Sequence, residues 1–285
     1  MAEDFGLVER TGETPGDVWE GLDVSDDEAD RIARRQDKDF DEFRKRLKDA
    51  DQFKVEGAVF DDATYAAIYK LVQDGHLDAF GGPISTGKEA HVFEALGPEG
   101  DVAVKIYRIN ASNFRQMREY LEGDPRFEEI RGDKKAVVLA WTRKEFANLR
   151  RAREAGVRVP EPLAVQRNVL VMELIGEEDA PAPRLEEVHV ENPRTAYEVV
   201  REYMRRLNDA GLVHGDLSEY NVVVHGGELV VIDVGQAVTV HHQNADEFLR
   251  RDCRNVASYF QRQGLDVDAD SLYEFVTRAD EDDGG

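Results

Sequence analysis

Residues 213–235 read VHGDLSEYNVVVHGGELVVIDVG and place two aspartates and an asparagine around a short apolar hairpin. The Gly226-Gly227 turn is flanked by the runs VVV and LVV, and Asn221 and Asp233 lie nearly symmetrically about it. Antiparallel pairing of the two arms would bring those side chains together at the open end. Asp216 sits on the loop that enters the first arm. Three oxygen-bearing side chains thus converge beyond an apolar ladder. Hard oxygens with room left for water and phosphate suit Mg2+, and Mn2+ accepts the same ligands. A hairpin whose Asp and Asn only cap turns has the same letters, so this stretch alone leaves both readings open.

Three further groups precede the hairpin. The turn ISTGKEAHVF (84–93) brings backbone N–H groups and Lys88 to a place where phosphates could approach. It is not a GxxxxGK[ST] loop leading into a helix, and an ordinary hairpin turn reads the same way. In DVAVKIY (101–107), Val102, Val104 and Ile106 share one face, and Ala103 and Lys105 the other. Lys105 is the one cation of an otherwise apolar run, and small Ala103 beside it leaves space for a flat ring. Glu145 falls on the apolar stripe of the next helix. A buried charge needs a partner, so Lys105 and Glu145 are expected to pair; a solvated edge-strand lysine is the plainer alternative. Finally, VMELIG (171–176) ends a buried strand at Met172, and the backbone running out through Glu173 and Ile175 could read an adenine edge.

The elements that must position these groups follow from periodicity. DDATYAAIYKLVQD (61–74) predicts a helix capped by Asp61 or Asp62, with Tyr65, Ile68, Tyr69 and Val72 as its stripe and Gly75 as its end. GGPISTGKEAHVFEAL reads as strand, turn, strand, followed by the 101–107 strand. Residues 108–134 form a long polar connection, part helix and part loop. WTRKEFANLRRAREAG (141–156) predicts a helix with Trp141, Glu145, Leu149 and Ala152 on one stripe, and NVLVMELIG (168–176) a strand. An acidic, proline-containing connector at 177–187 marks a lobe boundary. Asn192 and Pro193 then open a helix with the stripe Tyr197, Val200, Met204 and Leu207, which Gly211 stops. Two more helices follow the 213–235 hairpin.

The expected organisation is a polar, partly disordered segment (1–48) with a charged helix from about Asp27, a helical extension (49–80), a strand-rich lobe (81–177), a helical lobe (178–280) and a frayed tail (281–285). Helices and strands are segregated rather than alternating, so the fold class is α+β.

Apolar residues make up 41% of the chain's 285 residues, enough for real cores. No run approaches the roughly 20 apolar residues that span a bilayer. The start MAEDFGLVER lacks the basic and apolar parts of a signal peptide, and Cys253 is the single cysteine, so a soluble cytoplasmic protein without an internal disulfide is expected. The net charge is −23, and the 37 basic residues are 27 arginines and 10 lysines, with no lysine after Lys144. Such a surface stays hydrated when salt screens charge, which points to a salt-loving host; stability that did not rise in molar KCl would contradict this. The global charge argues against nonspecific nucleic-acid binding. Arg143, Lys144, Arg150, Arg151, Arg153 and Arg158 form a basic run that could act as a local RNA patch or as a solvated helix face.

Each signal is modest alone, but a glycine turn, strand lysine, helix glutamate, hinge strand, HxD-x4-N and D-x-G occur in the order of the protein-kinase signatures. Over residues 50–260 the chain resembles the RIO family of atypical protein kinases through STGKEAHVFEA, VAVKIY, VMELIG, HGDLSEYN and IDVGQAV. STGKEA, the stretch from Ile106 to Val138, and WTRKEFANLRRAREAGVRVPEP resemble its Rio-one branch. The resemblance implies a bilobal kinase-like fold and Mg2+-dependent phosphoryl transfer from ATP. Lys105, held by Glu145, would grip the α and β phosphates. Asn221 and Asp233 would hold the metal, and Asp216 would orient the acceptor hydroxyl. Ile84, Ser85, Gly87, Lys88 and Glu89 would line the phosphate turn. Val92 and Ala103 would sandwich adenine, with Met172, Glu173 and Ile175 at the hinge. It further implies ATPase activity, an aspartyl-phosphate at Asp233, autophosphorylation with Ser112 a candidate by position, and action on a precursor of the small ribosomal subunit, its rRNA and proteins. GxGxxG and APE are absent, DVG replaces DFG, and Ser218 stands where many kinases carry a lysine, which puts ordinary peptide-substrate recognition in doubt. Two alternatives stay open at this point: a small-molecule phosphotransferase of the aminoglycoside or choline kinase kind, and a scaffold that binds ATP without turning it over.

Overall fold

The structure is a computed structural model that describes residues 60–109, 114–122, 124, 127, 133–177 and 180–278. The N-terminal segment with the helix expected from about Asp27, Ser112 and the tail lie outside the described residues. Strands β1 (Ala79–Thr86), β2 (Ala90–Gly97), β3 (Gly100–Tyr107), β4 (Pro162–Gln166) and β5 (Val169–Glu173) form one antiparallel sheet in the order β1-β2-β3-β5-β4. Helix α1 (Asp62–Gln73) lies on one face of it, capped by Asp61, whose carboxylate accepts from Thr64 N at 2.7 Å. Tyr65 and Ile68 of α1 pack with Phe93 of β2 and with Val102, Val104 and Ile106 of β3, the face that alternation predicted. Ala103 and Lys105 are thereby turned to the opposite face, toward the second lobe.

Two of the longer elements depart from the sequence expectation. Helix α3 (Lys134–Glu154) begins seven residues before Trp141, capped by Asp133, whose side chain accepts from Ala136 N at 2.7 Å. Val137–Trp141 are buried all round, against Tyr107 and helix α2 (Phe114–Leu121), so they show no helical stripe to read. Strand β4 was not expected. It begins at a proline, which strand patterns normally exclude, and it is tolerated because β4 is an edge of the sheet.

The second lobe is built on helices α4 (Pro193–Asp209), α5 (Ala245–Arg262) and α6 (Ala269–Thr277). Its core takes Tyr197, Val200, Met204 and Leu207 from α4, and also Phe146, Leu149 and Ala152 from α3 and Leu170 from β5. At about 2 kcal/mol for each buried large side chain, this shared core fixes α3 against both lobes. The lobes are joined by the short pair β6 (Gly176–Glu177) and β7 (Ala180–Pro181). Strands β8 (Leu212–Val213), β9 (Val222–His225), β10 (Glu228–Val231) and β11 (Val238–Thr239) complete the fold. β9 and β10 form the expected hairpin, with His225 opposite Glu228 and Val222 opposite Val231. β8 pairs with β11, so the segments that carry Asp216 and Asp233 each start or end on a ladder. Among the described residues no helix is long and apolar enough to cross a membrane.

Candidate active site

Lys105 is almost fully buried on β3, and its Nζ donates to Glu145 Oε1 at 2.7 Å and to Asp233 Oδ1 at 2.9 Å. The ammonium therefore joins the sheet, α3 and the segment after β10 at one point. Burial alone would lower the Lys105 pKa, but Asp233 and Glu145 outweigh it and leave the pKa well above its ordinary value. Burial pushes the Glu145 carboxyl upward, while Lys105 and hydrogen bonds hold it down. The hydroxyl of buried Tyr107 donates to the other Glu145 oxygen, Oε2.

Asp233 has left-handed backbone angles, φ 60° and ψ 56°, which are uncommon for a residue with a Cβ. Such strain persists only where the surroundings over-determine it. Here α3 supplies the grip: Lys144 Nζ donates to Gly235 O at 2.8 Å and to Ala237 O, and Asn148 Nδ2 donates to Val234 O at 3.0 Å and Ala237 O at 2.9 Å. A Cβ at Gly235 would lie 3.0 Å from Trp141 Nε1 and 3.2 Å from the Tyr107 hydroxyl, so only glycine fits without displacement. The Asp233 side chain itself is half-exposed, and Lys105 holds its carboxyl below the usual range.

Asn221 and Asp216 meet the same cluster from the other side. Asn221 Nδ2 donates to Asp216 O at 2.8 Å, and Asn221 O accepts from Ile232 N at 2.9 Å. The loop carrying Asp216 is fixed from below by α5. Asp252, buried, accepts from Gly215 N at 2.7 Å and Leu217 N at 2.8 Å; Asn255 donates to Leu217 O at 3.1 Å, and Arg251 to Gly215 O. Burial pushes the Asp252 carboxyl up to about 7. His214 lies within bonding distance of Ile232 O through Nε2 (3.3 Å) and receives Asp216 N at Nδ1 (3.3 Å). A carbonyl can only accept, so the ring is the neutral Nε2–H tautomer, in line with burial pushing its pKa down to about 4. Burial pushes Asp216 upward, and Asp233 and Glu89 add to this. Asp252, Asn255, Lys144 and Asn148 were not singled out for these roles. Their partners are main-chain groups distant in sequence, which the side-chain pattern does not show.

The other expected residues are placed as follows. Ser85 pairs with Val92 across β1 and β2, and Gly87, Lys88 and Glu89 form the turn between them. Gly87 N donates to Ala90 O at 3.0 Å, and a Cβ at Gly87 would stand 2.9 Å from that oxygen. Ser85, Gly87 and Lys88 are exposed, and Ile84 and Glu89 are half-buried. Val92 opposes Lys105 and Ala103 opposes Glu94. Val92 and Ala103 thus share one face of one sheet and can form only one wall for a ring, not the two sides of a sandwich. A facing wall has to come from the second lobe, where Val223 and Ile232 pack with Ile175. Met172 opposes Ala103 on the cleft face. At the hinge, Glu173 N donates to Glu161 O at 2.8 Å, and its side chain is forked onto Arg158 at 2.7 and 2.5 Å. Ile175 O accepts from Ala182 N at 2.9 Å.

The basic run at 143–158 is not a single patch. Lys144 is fully buried under the segment after Asp233, Arg158 is taken by Glu173, and Arg153 Nη2 lies 2.9 Å from Glu161 Oε2. The spacing of charged residues along a helix does not distinguish the face that is buried from the face that is solvated.

Residues 91–272 match the RIO domain. The chain is 76% identical to the RIO-type serine/threonine-protein kinase Rio1 of Haloferax volcanii over 100% of this chain and 99% of that protein. It is 37% identical to the Methanocaldococcus jannaschii Rio1 over 82% of this chain and 80% of that one. Among solved structures, the ADP/Mg2+-phosphoaspartate complex of the Rio2 kinase from Chaetomium thermophilum has the same fold, with a TM-score of 0.57 and 22% identity, covering 76% of this chain and 67% of that chain. The Haloferax relative accords with the acidic, lysine-poor composition.

Proposed function

The chain belongs to the RIO family of serine/threonine-protein kinases, and from that premise we propose that the Lys105, Glu145, Asp216, Asn221 and Asp233 cluster transfers the γ-phosphoryl group of ATP, acting in maturation of the small ribosomal subunit. The observation that carries the reading is the Lys105 ammonium suspended between Glu145 and Asp233, at 2.7 and 2.9 Å. That placement holds one buried cation between a carboxylate of α3 and one of the segment after β10, on the sheet face turned to the second lobe.

The donor set fits Mg2+. Asp233 offers a half-exposed carboxylate, and Asn221 commits its amide N–H to Asp216 O, which leaves its carbonyl oxygen as the available group. Among the described residues no three His, Cys, Asp or Glu side chains converge to cage a metal. One carboxylate and one amide oxygen, completed by phosphate oxygens and water, is the usual arrangement for Mg2+. When bound, Mg2+ neutralises charge on the phosphates. Lys105 would grip the α and β phosphates, and the exposed 87–89 turn would cover them. Asp216, whose carboxyl burial pushes upward, would orient the acceptor hydroxyl and receive its proton.

Asp233 would also serve as an acceptor. An oxygen of its carboxylate would bond to the γ phosphorus as the bond to the ADP oxygen breaks, giving an aspartyl-phosphate that water then hydrolyses. Lys105 favours this by keeping the carboxylate ionised, and the exposure of the side chain leaves it accessible. The chain would then act as an ATPase switch on the pre-ribosomal particle as well as a kinase. Mass spectrometry after incubation with ATP and Mg2+ in molar KCl tests this. Acid-labile phosphate on Asp233, alone or with phosphoserine, is expected. The absence of both phosphate on the chain and ATP turnover would refute the reading.

A further inference from the structure

Tyr107 ends β3 two residues beyond Lys105 and so shares its face. Three contacts place it inside the cluster rather than beside it. Its hydroxyl donates to Glu145 Oε2, its ring centre lies 5.2 Å from Lys105 Nζ, and its hydroxyl stands 3.2 Å from where a Cβ of Gly235 would be. The Glu145 carboxylate is therefore divided, with Oε1 for the lysine and Oε2 for the tyrosine. A carboxylate with both oxygens free could turn or take the ammonium with both, drawing Nζ toward α3 and away from Asp233.

We infer that Tyr107 is a positioning residue of the nucleotide site: by occupying Glu145 Oε2 it confines Lys105 to Oε1 and keeps Nζ midway between Glu145 and Asp233. This rests on the reading of Lys105 and Glu145 as the phosphate grip. The α and β phosphates are held alike before and during transfer, so loosening the grip removes uniform binding: KM for ATP rises while kcat is largely kept. Phenylalanine retains the ring, its packing and its contact with the ammonium, and removes the hydroxyl alone.

The test compares the full-length protein with Tyr107→Phe, Glu145→Gln and the double variant, measuring kcat, KM for ATP and the Kd of ADP with Mg2+. Tyr107→Phe is expected to raise KM and Kd by about tenfold, as losing a hydrogen bond to a charged group does, with kcat within about threefold. Because Tyr107 acts through Glu145, its substitution adds less than about twofold in the Glu145→Gln background, a double-mutant cycle that a merely structural role does not reproduce. A KM raised by Glu145→Gln but not by Tyr107→Phe overturns the role of Tyr107 alone, as do effects that simply multiply. A KM unmoved by Glu145→Gln overturns the reading of the site, and this inference with it. Should Tyr107→Phe melt near the assay temperature, the Kd of ADP measured in the cold gives the same comparison.

Discussion

The 87–89 turn and the 233–237 segment would flank the same triphosphate, yet they are held in opposite ways. The first is an exposed hairpin tip, closed by Gly87 N on Ala90 O and by Arg108 N on Glu89 O. The second receives four hydrogen bonds from Lys144 and Asn148, two from each, and its backbone is strained at Asp233. The 214–217 loop resembles the second, with Asp252, Asn255 and Arg251 beneath it. The lesson concerns which groups need fixed positions. Groups that would hold metal and orient an acceptor are over-determined by buried side chains, because positioning sets the rate of phosphoryl transfer. The turn that would cover the phosphates is an exposed tip held by two backbone hydrogen bonds, the kind of segment in which closing on a nucleotide is expected to cost little.

The largest expected effect tests the over-determined side. Asp252→Ala leaves two buried N–H groups without an acceptor, at about 1–3 kcal/mol each, so a loss of about 3–5 kcal/mol in urea unfolding is expected, together with ATP turnover. A loss below about 1 kcal/mol would show that the loop stands without α5. Next is His214. Its folded pKa of about 4 lies below its ordinary 6.5, so between those values the unfolded chain binds the extra proton. The His214 contribution to stability is full above pH about 6.5 and is lost as pH drops toward 4, by at most about 3 kcal/mol, while Asp252, raised to about 7, acts in the opposite sense over the same window. The difference in unfolding free energy between wild type and His214→Gln should therefore change across that window; a constant difference would remove His214 as a cause. Lys144→Met strips a donor from Gly235 O and Ala237 O, with an expected cost of about 2 kcal/mol and a weaker dependence of activity on Mg2+. Smallest is Lys88→Ala, which should leave the melting temperature unchanged and raise KM for ATP by less than about fivefold. A larger effect there would mean that the turn is as fixed as the segment it faces.

The sequence made the helical caps, the alternation of β3 and the Gly226-Gly227 hairpin legible, because local geometry writes each of them in a few adjacent residues. It also made the pairing of Lys105 and Glu145 legible, since a lone cation in an apolar strand demands a partner. What it hid was burial on all sides. Val137–Trp141 show no stripe because they have no exposed face, and Lys144 reads as one more surface cation until α3 is seen to turn it inward. Asp252 was hidden for a different reason, as its partners are backbone N–H groups 35 and 37 residues away, which leave no mark in the side-chain pattern. The placing of Val92 and Ala103 on opposite sides of a ring failed on register, which only the strand pairing supplies.

The central claim is that Asp216 and Asp233 act in phosphoryl transfer from ATP. The most direct measurement is ATP turnover in molar KCl with Mg2+ by the full-length protein, by Asp216→Ala and by Asp233→Ala. Removing a group that positions or neutralises the reacting atoms should lower the rate by about a hundredfold or more in each variant. Equal rates in all three would contradict the account.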